Sequence, residues 1–199
     1  MPPQDESLHA LTYRATFSRL LRQSKLDLNS KWGQTVALNY KHTPIGGDLS
    51  GLLFSLGSNL FFPGLFPHHS LHLRAAAQHS NHENYSFASP IAFTKGYDAL
   101  IFTDYLNLSF NYKLPIARMD WHLGPLVNLQ RIYSNLFYEL GKGKNEGTSV
   151  QNLKSMGIET HFNFNVLRLL PLFDVGIRYS YLPHSKKFVP QVIIGAISL

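Results

Sequence analysis

The chain has 199 residues, enough for one domain, and pairs 44% hydrophobic residues with only 15% charged ones, where a soluble domain carries roughly 25%. With no cysteine it forms no disulfide, thiol nucleophile or cysteine metal centre, and its formal charge of +6 comes from scattered lysines and arginines, without a basic run of the kind that grips nucleic acid. A surface poor in charge and rich in Phe (14) and Tyr (10) suits lipid, yet no stretch reaches the ~18 apolar residues of a membrane helix.

Residues 1–10, MPPQDESLHA, lack the basic and apolar regions of an export signal. An exported protein would then carry its signal, and further strands, upstream of this chain. The dominant pattern that follows is alternation with period two in segments of about ten residues. Weaker segments come first, at 11–20, 35–42 and 51–62. The densest apolar run, 52–66, is interrupted by Ser55, Gly57, Ser58, Asn59, Pro63 and Gly64, so any crossing of a membrane must be made by strands. Hydrocarbon cannot satisfy an open sheet edge, which makes a closed barrel the expected form.

Four segments alternate clearly. Across 70–78, Leu71, Leu73, Ala75 and Ala77 oppose His72, Arg74, Ala76 and Gln78. Across 100–114, Phe102, Leu106, Leu108, Phe110 and Tyr112 oppose Thr103, Tyr105, Asn107, Ser109, Asn111 and Lys113, with Asp104 the one exception on the apolar face. Across 157–166, Ile158, Thr160, Phe162, Phe164 and Val166 oppose Glu159, His161, Asn163 and Asn165. Across 174–181, Val175, Ile177, Tyr179 and Tyr181 oppose Asp174, Gly176, Arg178 and Ser180. Weaker segments at 132–141 and 188–198 bring the total to about nine, each near the ~9–11 residues a tilted strand needs to cross a bilayer. Short connections are expected at 182–185 and around Pro115, and long polar ones at 78–90 and 141–149, with short turns gathered at one end of the barrel.

The polar faces are rich in Asn, Ser, His and Thr, with few charges. That composition suits a water-filled or plugged lumen better than a surface facing bulk solvent, and Lys113, Glu159, Asn163 and Arg178 are expected to line it. Trp32, Trp121, Tyr40, Phe61, Phe62, Tyr179 and Tyr181 are candidates for interfacial aromatic girdles. His68, His69, His72, His79 and His82 are the richest histidine cluster, but His72 and His79 take opposite faces, so a shared metal point is not expected. Glu159 and His161 share a face without a nucleophile, phosphate loop or metal spacing beside them, and 141–144, Gly-Lys-Gly-Lys, reads as a polar turn and not a P-loop. Neither an enzyme activity nor a cofactor is expected.

Three stretches go beyond pattern. Thr94-Lys95-Gly96-Tyr97 follows a long loop and precedes the 100–114 segment. Phe137-Tyr138-Glu139-Leu140-Gly141 ends a later one. The third, Asn59 through Leu71, reads NLFFPGLFPHHSL. Together they resemble the bacterial surface-antigen, or BamA-type, outer-membrane β-barrel family, over residues from about 50 to 199. In that family a loop before the twelfth of sixteen strands carries aliphatic-Arg-Gly-aromatic and folds into the lumen, where its Arg meets the acid of a Phe-x-Asp-x-Gly motif on strand thirteen. Here Lys95, Gly96 and Tyr97 look like the loop motif, and Phe137, Glu139 and Gly141 like its partner. Five strand candidates follow Gly96 and about four precede it, so the resemblance implies the last nine of sixteen strands in one barrel domain, 1–199, incomplete at its N-terminus. Lys95 stands for Arg, Glu139 for Asp, and Thr94 for an aliphatic residue. Leu199 ends the chain where many such barrels end in Phe or Trp.

Alternation puts Tyr133, Asn135, Phe137 and Glu139 on one face and Leu136, Tyr138 and Leu140 on the other, so Glu139 should point inward. A buried carboxylate needs a partner, and Lys95 is the candidate, with Gly96 allowing the sharp turn or close approach. The resemblance implies a location in the bacterial outer membrane, contact with its lipid, client proteins as partners, and a role in protein assembly or translocation. Two alternatives stand beside it. A passive pore or structural barrel without assembly activity would suit a chain lacking the family's periplasmic repeat domains. A soluble barrel carrying lipid would need an apolar interior.

Overall fold

The computed structural model describes residues 9–21, 23–24, 26–45, 50–81, 85–123, 127–166 and 172–197. Residues 1–8, His82 and Leu199 fall outside these. Among the described residues nine strands form one antiparallel sheet in chain order: β1 (His9–Leu20), β2 (Gly33–Ile45), β3 (Leu52–Pro63), β4 (Ser70–Asn81), β5 (Asp104–Leu123), β6 (Val127–Lys144), β7 (Gln151–Val166), β8 (Leu172–Leu182) and β9 (Lys187–Ile197). No helix occurs among the described residues. Each strand pairs with its neighbour in sequence, as expected for a meander built from hairpins. The sheet is open, with β1 and β9 as its edges.

The period of two dictates which side each residue takes. One face holds small and polar groups that are fully buried: Ser55, Asn107, Glu139, Ser155, Asn163 and Ser180 are each 0% exposed. The other face presents Leu106, Phe110, Leu136, Ile158, Ile177, Val192 and Ile194 to the outside. Its large apolar groups do not meet across a dry centre. This inverts the arrangement of a soluble sandwich, in which the apolar faces are buried.

Several expected boundaries are corrected. β5 begins at Asp104, because Phe102 leaves the outward face and is buried against Phe93 and Tyr105. No turn forms around Pro115. β5 runs through it, and register shifts after Pro115 and again after Arg118 let the ladder accommodate a residue without an N–H. Residues 141–144 belong to β6 and not to a polar turn, with Gly141 and Gly143 inward and Lys142 and Lys144 exposed. Short and long connections are not segregated either, since the two longest, 21–32 and 82–103, leave opposite ends of the sheet. Trp32, Trp121 and Tyr179 are exposed. Tyr40 packs beside Tyr13, Tyr181 beside Phe188, and Phe62 edge-on to Trp32. Phe61 departs from the aromatic-girdle expectation: its odd register position on β3 turns it to the polar face, where it stacks on His72 at 4.5 Å.

Candidate functional site: a loop held on the polar face

The segment 85–103 folds onto the polar face and touches β5, β6, β7 and β8. Its anchor is apolar. Phe93, Phe102 and Tyr105 stack with centroids 4.9–6.0 Å apart, and Ile91, Tyr97 and Leu153 pack against this group. Next to it, Tyr105 Oη accepts the Thr94 N–H at 2.9 Å, and Asn107 Nδ2 donates to Thr94 Oγ1 at 3.2 Å. Thr94, at the position where an aliphatic residue was the pattern, is 1% exposed and hydrogen-bonded on both its backbone and its side chain. Gly141 makes this possible. A Cβ there would lie 2.4 Å from Thr94 Oγ1.

Lys95 comes next. Its backbone N–H donates to Glu139 Oε2 at 2.8 Å, and Ser109 Oγ donates to Glu139 Oε1 at 2.8 Å. The ammonium stands 3.7 Å from Glu139 but 3.2 Å from Glu159, donates to Asn111 Oδ1 at 2.9 Å, and lies 4.4 Å over the Phe137 ring. Lys95 and Glu139 are therefore brought together chiefly through the Lys95 backbone, and the ammonium's nearer carboxylate is Glu159. Arg74, reaching from β4, stands 3.7 Å from Glu139. Gly96 has φ +82°, a conformation that favours glycine, and a Cβ on it would meet Ser180 Cβ at 2.7 Å. Tyr97 Oη donates to the Lys154 carbonyl on β7 at 3.0 Å.

The remaining inward positions continue the network. Glu159 accepts from Arg178 Nε at 2.6 Å and from Asn135 Nδ2 at 2.7 Å. Arg178 also donates to Gln191 on β9. Asp174 bonds both His161 (3.0 Å) and the Tyr133 hydroxyl (2.9 Å), and Tyr133 stacks on His161 at 4.6 Å. Asn163 accepts from Arg131 Nε, and Lys113 Nζ donates to Asn29 Oδ1 at 3.3 Å above the Tyr133 ring. Each buried carboxylate thus has cationic and hydrogen-bonding partners, as burial of charge requires. Buried polar atoms of Ser155, Ser180 and Asn163 have no protein partner among the described residues.

A second segment reaches the same face from the opposite end. Asn29 Nδ2 donates to Ser70 Oγ, Asp27 and His68 lie 2.9 Å apart, and Arg118 donates to the Leu26 carbonyl. Burial raises the Asp27 carboxyl, but the His68 hydrogen bond, the Ser24 amide and the Lys31 charge outweigh it and hold it below its ordinary 3.8. Alternation could not single out Asp27, Asn29 or His68, because all three lie in connections. The histidines take separate partners: His68 bonds Asp27, His69 Tyr112, His72 Asn59 and His79 Asp104. Among the described residues no group of three His, Asp or Glu is placed to hold a metal.

This arrangement can hold a loop in a fixed place on a polar wall. No family model, curated protein or solved structure matches the chain.

Proposed function

We propose that this chain is a strand-rich part of an outer-membrane β-barrel of the surface-antigen type, that 85–103 is its lumenal loop, and that it serves the insertion or translocation of proteins at that membrane. The observation that carries this reading is the inverted sheet: Phe110, Leu136 and Ile177 face outward while Glu139 is fully buried on the polar side beneath a loop. Lipid is the solvent in which such an outward face is stable, and an aqueous lumen is the setting for the inner one. Open edges at β1 and β9 are the places where further strands would pair. The polar inner face argues against a soluble lipid carrier, which needs an apolar interior.

The absence of cysteine makes the test direct. Single cysteines at Phe110, Leu136 and Ile177 are expected to resist a water-soluble maleimide when the chain is reconstituted in phosphatidylcholine vesicles, and to react in its absence. Rapid labelling of all three in vesicles would remove the membrane reading. In the same vesicles, accelerated insertion of an unfolded barrel client would support the assembly role. Ion conductance without such acceleration would favour a passive pore.

A further inference from the structure

On the outward face, where β1 hands over to β2, lies a groove of about 400 Å³. The pairing of Arg19 with Gln34, and of Gln34 with Leu60, puts these three in one row across β1, β2 and β3. Trp32 and Phe62 close one side, edge to face at 5.4 Å. Leu21 completes the apolar wall, and its N–H donates to the Trp32 carbonyl at 2.9 Å, extending the hairpin so that the wall stays beside the strand. Leu21 and Trp32 are more than half exposed. Arg19 is exposed at the rim, and no described carboxylate pairs with it, whereas Arg74 and Arg178 on the polar face each reach a glutamate.

We infer that this groove is a binding site for an anionic phospholipid, with the phosphate on Arg19 beside Trp32 and an acyl chain running from there toward the middle of the sheet, over the exposed pair Phe17 and Val36. The inference rests on the membrane reading above. The chemistry is specific. A guanidinium grips phosphate through paired N–H donors, and an exposed arginine on an apolar face has no use for hydrocarbon. The indole of Trp32 is amphipathic and belongs at headgroup depth, with an N–H to offer an ester or glycerol oxygen. A positive rim over an apolar cleft matches a molecule with one negative headgroup and a hydrocarbon tail. A zwitterionic lipid would carry its own cation against Arg19.

The two tryptophans, Trp32 and Trp121, allow a test by quenching with brominated lipid. Trp121→Phe leaves Trp32 as the only indole, and Trp32→Phe leaves Trp121 as the control. In phosphatidylcholine vesicles doped with brominated lipid, Trp32 should be quenched at roughly fivefold lower mole fraction of phosphatidylglycerol than of phosphatidylcholine, the size of effect one arginine gives near a membrane surface. Arg19→Gln should abolish that preference and Arg19→Lys should keep part of it, while Trp121 shows none. Equal quenching of Trp32 by the two lipids would overturn the site and leave the membrane reading standing. An equal phosphatidylglycerol preference at Trp32 and Trp121 would overturn it too, because general attraction to a chain of charge +6 would then suffice. Failure of either lipid to quench either tryptophan would remove the membrane reading on which the site depends.

Discussion

Two connections fold onto the same polar face from opposite ends of the sheet, and they are held very differently. Segment 85–103 ends in a buried carboxylate. Glu139 is 0% exposed, and Lys95 N–H, Ser109 Oγ, Arg74 and the Lys95 ammonium converge on it. Segment 21–32 is held by a pair that water reaches from one side only, for Asp27 is 6% exposed but its partner His68 is 35% exposed. The bonds have similar lengths, so burial and the number of groups depending on each carboxylate make the difference. An ion pair within reach of water contributes about 0–1 kcal/mol, whereas removing one member of a buried cluster strands the others without solvent.

The largest expected effect follows from that contrast. Glu139→Ala leaves the Lys95 amide and the Ser109 hydroxyl without their acceptor and should destabilise the chain by about 3–5 kcal/mol. Denaturant unfolding in lipid or detergent would measure it, and limited proteolysis should show 85–103 released. Lys95→Met should cost less, because the backbone N–H that reaches Glu139 survives the substitution. A double-mutant cycle should then give Lys95 a larger coupling to Glu159, at 3.2 Å, than to Glu139, at 3.7 Å. The reverse order would mean that the ammonium and not the amide pins the loop.

Next in size is Gly96→Val. It forces a branched side chain into φ +82° and drives its Cβ toward Ser180. The backbone strain alone is worth roughly 1–3 kcal/mol. Ser180→Gly should recover the part due to contact and leave the part due to strain. If Gly96→Val and Gly147→Val cost the same, the close approach to β8 contributes nothing, since Gly147 shares the positive φ and has open space around it.

The difference between the two segments also explains what was legible beforehand. Strand number and facing follow from alternation, which is local, so Glu139, Glu159, Asn163 and Arg178 could be assigned to the polar side from sequence. That Lys95 and Glu139 meet came only from a resemblance between short motifs. Phe102 could not be read correctly, because it continues the alternation of Leu106 and Leu108 but is taken from the strand by stacking on Phe93 and Tyr105, a contact made by a loop. Pro115 looked like a turn, for a proline seldom stands in a ladder, and only pairing with Tyr133 next to a bulge shows how it is tolerated. Asp27 and Asn29 lie on one stretch of chain, and His68 and Lys113 on two others. Nothing in the period of any one of them encodes their meeting.

The smallest effect belongs to Asp27, and its sign can be worked out. The Asp27 carboxyl is held below 3.8 in the folded chain, so folding favours its ionised form. The stabilisation is then complete above that value and fades as pH falls through the lower, folded value. With His68 one-third exposed, water screens the pair, and the loss should stay within about 1 kcal/mol. Because Glu139 and Glu159 are acids too, a global melt cannot isolate Asp27. A local readout can, since the Asp27 N–H donates to the Ser24 carbonyl at 3.0 Å. Its hydrogen exchange should quicken as pH falls below about 3.8, beyond the intrinsic pH dependence, while the Lys95 amide stays protected. Asp27→Asn should flatten that response. If the two amides lost protection together, the segments would open as one unit, and the contrast between a deep anchor and a shallow one would fail.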